Sequence, residues 1–124
     1  MAKTAKKILI VEDEEFLLDI YKKKFESLGF KVVTLTDGRD CLEVAKKEKV
    51  DFILLDISLP GKTGYEVLGE LKGDSATKQI KVLVMSNLGQ KEEIDKALRL
   101  GASGYVVKAN LTPRELADKV AKMI

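Results

Sequence analysis

The run Phe52-Ile53-Leu54-Leu55-Asp56 is the stretch of this sequence that decides the fold. It is apolar up to its last residue, and a continuous apolar run of this length is typical of a strand buried on both faces, as in a parallel sheet. Further runs of strand length flank it on either side: Ile8-Leu9-Ile10-Val11, Val32-Val33-Thr34-Leu35, Val82-Leu83-Val84-Met85 and Tyr105-Val106-Val107. Together these runs predict a sheet of five strands.

Helical patterns fill the gaps between the runs. The first ends at Gly29, which supplies a left-handed C-terminal cap, and its face consists of Leu17, Ile20, Tyr21, Phe25 and Leu28. Asp37 is expected to cap the second helix. The third and fourth helices are indicated by Tyr65, Leu68 and Leu71, and by Ile94, Ala97 and Leu98. The fifth has the clearest start, with Thr112 as the cap, Pro113 in the first turn and Glu115 closing a capping box.

The order of these elements, a strand followed by a helix five times over, predicts an α/β fold. Right-handed crossovers give a parallel sheet with helices on both faces. For five strands we expect the order 2-1-3-4-5 of flavodoxin-like, doubly wound proteins, an expectation that rests on that template and on no pattern within this sequence. The 124 residues are predicted to form a single domain, 1–124.

Composition excludes several classes of function. Hydrophobic residues make up 45% and charged residues 34%, as in ordinary globular proteins, and a net charge of +2 does not indicate nucleic-acid or membrane binding. The absence of histidine removes Ser-His, Cys-His and His-metal chemistry. Cys41 is the only cysteine, which favours a cytoplasmic protein. The basic start, Met1 to Lys7, precedes an apolar run too short for a secretion signal or a membrane span.

Polar residues stand where the predicted strands end. Glu12 and Asp13 follow the first strand, Asp56 ends the third, Ser86 the fourth and Lys108 the fifth. The carboxyl ends of parallel strands meet along one edge, and the crevice lies where the strand order reverses, between strands 1 and 3. We therefore expect the three carboxylates to converge there, flanked by Ser86 and Lys108.

Three carboxylates in one cleft repel each other, and a hard divalent cation relieves that repulsion. Mg²⁺ prefers oxygen ligands and usually keeps several waters. Asp13 and Asp56 are the expected direct ligands, Glu12 a ligand through water, and a backbone carbonyl near Ser58 a further one.

Asp56 then keeps a free oxygen that could act as a nucleophile, since carboxylates form aspartyl-phosphates. Lys108 and the metal would offset the charge of an incoming phosphoryl group. Ser86 could donate a hydrogen bond to that group.

This constellation resembles the response-regulator receiver family of two-component signalling, along essentially the whole chain. The matching stretches are Ile8-Leu9-Ile10-Val11-Glu12-Asp13-Glu14, Leu54-Leu55-Asp56-Ile57-Ser58-Leu59-Pro60-Gly61, Val84-Met85-Ser86 and Gly104-Tyr105-Val106-Val107-Lys108. The resemblance implies that Asp56 is the phosphoacceptor and that Glu12 and Asp13 are the acidic pair around Mg²⁺. It implies further roles for Ser86 as the switch hydroxyl, Tyr105 as the switch aromatic and Lys108 as the phosphate-binding lysine.

The resemblance also implies a histidine kinase or phosphotransfer protein as partner, and a switch rather than an enzyme. Self-phosphorylation from small donors in the presence of Mg²⁺ is expected to accompany this role. Two other functions stay open. Haloacid-dehalogenase-type phosphatases also use a strand-end Asp with Mg²⁺, but they need a second Asp where this chain has Ser58. A phosphorylation-independent adaptor would not need the acidic cluster.

The chain departs from the family pattern near the site. Ala109 stands where many receivers have proline after the lysine, so we predict a trans Lys108–Ala109 bond. Asn87 replaces the usual small residue, and Leu88 occupies a position that is often polar. With Ser58, these two residues are expected to tune dephosphorylation, and the apolar Leu88 predicts slow hydrolysis.

Overall fold

The computed structural model describes residues 5–124, so the first four residues of the basic start lie outside the described part. Strands and helices alternate along it: β1 Lys7–Val11, α1 Glu15–Ser27, β2 Lys31–Leu35, α2 Cys41–Glu48, β3 Phe52–Asp56, α3 Gly64–Gly73, β4 Lys81–Ser86, α4 Lys91–Arg99, β5 Gly104–Val107 and α5 Pro113–Met123. A short 3₁₀ turn, Lys108–Asn110, separates β5 from α5. No helix in this part of the chain is both long and apolar enough to cross a membrane.

The five strands form one parallel sheet in the order β2-β1-β3-β4-β5, which confirms the predicted fold class. The helices cover both faces of it. Cys41 of α2, Leu68 of α3 and Ala97 of α4 belong to the core on one face. Phe25 of α1 and Leu116 of α5 belong to the core on the other. The sheet therefore separates two apolar layers and leaves its carboxyl edge free for polar groups.

The central strands are buried as their continuous apolar runs predicted. Every residue of β3 is buried, and so are residues 8–11 of β1. Strands β2 and β5 lie at the edges of the sheet and are mostly half-buried, because each has a neighbouring strand on one side only. Residues 82–86 of β4 are buried as well, so burial is greatest in the three central strands, β1, β3 and β4.

Two predicted helix signals are confirmed. Gly29 ends α1 with a φ of +93°. Thr112 caps α5, and Glu115 closes the capping box with it. A glycine tolerates positive φ because it has no Cβ, which is why this residue type marks the end of α1.

The predicted cap at Asp37 is wrong. Helix α2 begins at Cys41, and the Asp37 carboxylate instead accepts a hydrogen bond from the Arg39 backbone N–H at 2.9 Å. Aspartate side chains readily form such local turns, which compete with helix capping.

The predicted face of α1 is partly wrong. Tyr21 and Phe25 are buried, but Leu18 joins them, and Leu17 is only half-buried. Leu28 is 49% exposed because it follows the last helical residue. The three-four spacing thus predicted the helix correctly, but it misassigned the buried residues near both ends of α1.

Candidate functional site

The acidic residues converge at the carboxyl edge of β1 and β3. Val11 pairs with Leu55, which places Glu12 and Asp13 beside Asp56. One carboxylate oxygen from each of these three side chains lies within 4.8 Å of the others. The structure therefore brings together the three carboxylates that the strand order predicted, and adjacent strand ends are the cause.

The three carboxylates differ in exposure. Glu12 is fully buried and Asp56 is 2% exposed, whereas Asp13 is exposed. A buried carboxylate is costly unless it has a charged partner or hydrogen bonds. Asp13 can meet solvent or an ion directly, whereas Glu12 and Asp56 depend on groups of the protein.

Lys108 is the partner of both buried carboxylates. Its Nζ lies 2.6 Å from Glu12 Oε1 and 2.5 Å from Asp56 Oδ2. Burial disfavours the charged ammonium, but the hydrogen bonds and charges of the two carboxylates outweigh that effect and raise the pKa of Lys108. The side chain is thus held as a cation between the ends of β1 and β3.

Backbone N–H groups donate to the second oxygen of each of the two buried carboxylates, Asp56 and Glu12. Ser58 N–H donates to Asp56 Oδ1 at 2.9 Å, and Glu14 N–H donates to Glu12 Oε2 at 3.0 Å. Burial raises the pKa of Glu12, and the hydrogen bonds from Lys108 and Glu14 offset it only in part. Both buried side chains are therefore fixed in orientation before any ligand arrives.

The donor set suits a hard divalent cation. Three carboxylates lie together, two of them paired with one ammonium, and every candidate ligand atom is an oxygen. Magnesium binds such sets of oxygens and usually retains water. Because Glu12 has an interaction at each oxygen, Asp13 is the most open of the three carboxylates.

Ser86 and Tyr105 are joined through one loop residue. Ser86 is buried at the end of β4, and its Oγ accepts a hydrogen bond from Leu88 N–H at 3.0 Å. The Tyr105 hydroxyl donates to the Leu88 carbonyl oxygen at 2.7 Å. The Leu88 side chain is 40% exposed, and Asn87 is exposed beside it. The peptide groups of Leu88 thus connect the two residues that the family resemblance singled out as switch residues.

Lys108 begins the 3₁₀ turn that follows β5. The Lys108–Ala109 bond is trans, as predicted, since residues 5–124 contain no cis peptide bond. The turn leads the chain toward Thr112, the cap of α5.

Comparison with known proteins agrees with this geometry. Residues 8–121 match the response regulator receiver domain. The chain belongs to this family. Receiver domains are the phosphoacceptor switches of two-component response regulators.

Relatives of the receiver domain include a transcriptional regulator of alkaline phosphatase synthesis, PhoP of Bacillus subtilis, which is 36% identical over 96% of this chain and 48% of its own length. The chain spans about half the length of the curated relatives it matches. Among solved structures, chemotaxis protein CheY4 of Vibrio cholerae superposes with a TM-score of 0.90 at 26% identity, covering 98% of this chain and 100% of that one. The BeF3-activated receiver domain of Klebsiella pneumoniae RstA superposes with a TM-score of 0.86 at 29% identity, over 94% of this chain and 97% of that one.

Gly64 is a residue of the receiver site that the sequence patterns did not reveal. It opens α3, and its N–H donates to the Ile57 carbonyl oxygen at 2.9 Å. A Cβ at Gly64 would lie 2.4 Å from the Asp56 carbonyl oxygen and 2.6 Å from Ile57 Cα. Thr63 caps the same helix in a capping box with Glu66, and that T-x-x-E spacing was readable from the sequence.

We expect Gly64→Ala to destabilise the receiver domain by about 2 kcal/mol or more, because backbone atoms that cannot rotate away block the new methyl group. Gly69→Ala is the matched control, since a Cβ at this other glycine of α3 meets nothing within 4 Å. That control should stabilise by about 0.5–1 kcal/mol, the usual gain of alanine over glycine in a helix. Urea unfolding of both variants measures the difference, and equal stability of the two would contradict the close approach.

Proposed function

We propose that this receiver domain accepts a phosphoryl group on Asp56 in the presence of Mg²⁺, and that a histidine kinase or phosphotransfer protein of the cytoplasm donates it. The observation that carries the proposal is the state of Asp56. It is buried, fixed by Lys108 and the Ser58 N–H, and adjacent to Glu12 and Asp13. The chain is a signalling switch in this proposal, with residues 1–124 as one domain, no direct nucleic-acid binding and no membrane partner.

The acidic residues would hold the metal. Asp13 and Asp56 would bind Mg²⁺ directly, Glu12 would act through a water molecule, and the Ser58 backbone carbonyl would be a further ligand. The exposure of Asp13 supports its role as a direct ligand, and oxygens of the three carboxylates lie close enough together to share one ion. When bound, the ion offsets negative charge on the phosphoryl oxygens.

The transfer step is a substitution at phosphorus. An oxygen of Asp56 forms a bond to phosphorus while the bond from phosphorus to the imidazole nitrogen of the donor breaks, and that nitrogen keeps the electron pair. Lys108 stabilises the charge of the transferring group, as positioned cations do in phosphoryl transfer. Ser86 Oγ accepts from Leu88 N–H, so its own hydrogen is available to a phosphoryl oxygen.

The same contacts couple the phosphoryl group to the switch. Drawing Ser86 toward Asp56 would displace Leu88, and the bond from Tyr105 to the Leu88 carbonyl would carry that displacement to Tyr105. A phosphoryl group shifts a two-state equilibrium only when it interacts better with one state, and its hydrogen bond to Ser86 is that interaction.

Incubation with acetyl phosphate and Mg²⁺, followed by intact mass measurement, tests the proposal. A switch gains the mass of one phosphoryl group and loses it slowly. An aspartate-nucleophile phosphatase would instead turn over a phosphate ester continuously, and an adaptor would do neither. Removal of Mg²⁺ by a chelator should abolish the labelling of a switch.

The lifetime of the phosphorylated form should depend on the side chains two positions beyond Asp56 and in the loop after Ser86. Hydrolysis needs an in-line water held by a polar neighbour. Leu88 offers no hydrogen bond from its side chain, Ser58 is no strong base, and Asn87 narrows the approach. We therefore expect Leu88→Glu and Ser58→Asn to speed the loss of phosphate by roughly tenfold to a hundredfold. Decay rates like that of the wild type in both variants would show that these side chains do not set the lifetime.

A further inference from the structure

Helix α4 has little buried surface to hold it in place. Of its 9 residues, all within the described part of the chain, Ala97 alone is buried. Leu98, one of the residues whose spacing indicated this helix, is 46% exposed. Apolar packing stabilises the position of a helix in proportion to the surface it buries. Polar contacts with its neighbours therefore contribute to holding α4 in position.

Tyr65, in the first turn of α3, supplies such contacts. Its hydroxyl donates to the Glu93 carboxylate, and the hydroxyl oxygen lies 3.2 Å from the Glu93 backbone carbonyl oxygen. Lys96 Nζ lies 4.2 Å from the centroid of the ring, at the distance of a cation–π contact. Burial and the hydrogen bond with Glu93 raise the pKa of Tyr65, so the hydroxyl keeps the proton that it donates.

Hydrogen bonds hold the segment between Ser86 and Glu93 at two positions, Leu88 and Gln90. Leu88 is bound at its N–H by Ser86 and at its carbonyl by Tyr105. Two residues later, the Gln90 carbonyl accepts from Glu93 N–H at 3.1 Å. Only Gly89 separates these two positions, so we expect a displacement at Leu88 to reach the first turn of α4, where Tyr65 holds Glu93.

We propose that Tyr65 is a positioning residue. Its contact with Glu93, here called the latch, holds the first turn of α4 in the position of the unphosphorylated state and so sets the equilibrium between the two states of the switch. The inference rests on the proposed function, because the Tyr65–Glu93 contact is broken when the phosphoryl group draws Ser86 toward Asp56. Contacts made in only one of two states favour that state. Loss of the Tyr65 hydroxyl therefore shifts the unphosphorylated chain toward the switched state.

Tyr65→Phe tests the latch, because it removes the hydroxyl and keeps the ring in place. Amide hydrogen exchange at residues 91–94 of the unphosphorylated variant should rise about threefold to tenfold, the effect of losing one partly exposed hydrogen bond. The initial rate of labelling by acetyl phosphate with Mg²⁺ should rise by about the same factor, since more of the protein is already switched. Glu93→Ala should raise both the exchange and the labelling rate by a similar factor, and the double variant should differ little from either single variant.

Glu92→Ala is the matched control. Glu92 is exposed in the same turn, so its loss should change neither exchange nor labelling. An unchanged or lower labelling rate in Tyr65→Phe, beside a wild type that labels, overturns the latch as a control of the switch. Unchanged exchange at residues 91–94 overturns the latch itself. A wild type that takes up no phosphoryl group refutes the proposed function and the coupling to it, and the exchange measurement, which needs no donor, still decides whether Tyr65 holds α4.

Discussion

Asp56→Asn should abolish labelling by acetyl phosphate and Mg²⁺. An amide is too weak a nucleophile to replace the carboxylate, whose oxygen must form the bond to phosphorus. The change is nearly isosteric, and the amide oxygen can still accept a hydrogen bond from Ser58 N–H or from Lys108. Intact mass measurement should therefore show a folded protein with no added phosphoryl group.

Asp51→Asn is the matched control for this experiment. Asp51 precedes β3 at the opposite end of the strand, where its carboxylate accepts from Lys7 N–H at 2.9 Å. This variant should label as the wild type does. Equal labelling of Asp56→Asn and wild type would refute the assignment of the acceptor.

Lys108→Met should have the second largest effect, on both labelling and stability. The variant leaves two buried carboxylates without their shared ammonium, and removing one partner of a buried ion pair costs about 3–5 kcal/mol. Loss of one preorganised charge at a reacting group slows the step by roughly a hundredfold to a thousandfold. Urea unfolding measures the first effect and the rate of labelling the second.

The loss of stability in Lys108→Met should depend on pH. The pKa of Glu12 is already raised above 4.5 in the folded wild type, and Lys108 is one of the groups that lower it. Without Lys108 the pKa of Glu12 in the folded state rises further, so protonation of Glu12 stabilises the folded variant. This stabilisation is fully present below the ordinary pKa of a glutamate, and it is lost as the pH rises through the higher pKa of the folded state. The deficit relative to wild type should therefore be larger at neutral pH than in mild acid.

Lys62→Met is the control for removing an ion-paired lysine. Lys62 Nζ lies 2.6 Å from Glu70 Oε2, but both side chains are partly exposed. Exposed pairs contribute about 0–1 kcal/mol, so this variant should unfold close to wild type and label normally. A Lys108→Met variant that is as stable and as reactive as Lys62→Met would show that Lys108 is not the counter-charge of the site.

The sequence was sufficient for the five strands, because continuous apolar runs mark them. The strand order came from the doubly wound template, and with that order the common edge of parallel strands predicted the meeting of Glu12, Asp13 and Asp56. Residue spacing was less reliable at helix ends. Leu28 fits the face of α1 by spacing, yet it follows the last turn, and Asp37 prefers its own local turn to a cap. Such choices depend on small differences between competing hydrogen bonds.

Individual side-chain contacts between distant residues were not predicted from sequence patterns. The sequence predicted Lys108 as a partner of the phosphoryl group, but not that one ammonium is shared by Glu12 and Asp56 before any phosphoryl group arrives. The contact between Tyr65 and Glu93 joins residues on different helices, and neither spacing nor composition marks it. The close approach of Gly64 to Asp56 likewise depends on how α3 follows the strand.

Lys108 reaches from the end of β5, across β4, to carboxylates at the ends of β1 and β3. When Asp56 carries a phosphoryl group, negative charge moves outward from the carboxylate to the phosphoryl oxygens. A lysine can follow it, because its compact charge sits on a flexible stem of methylene groups, whereas the planar fork of arginine is suited to one fixed geometry. Length and compliance of the side chain, and not its charge alone, therefore make lysine the residue suited to this position.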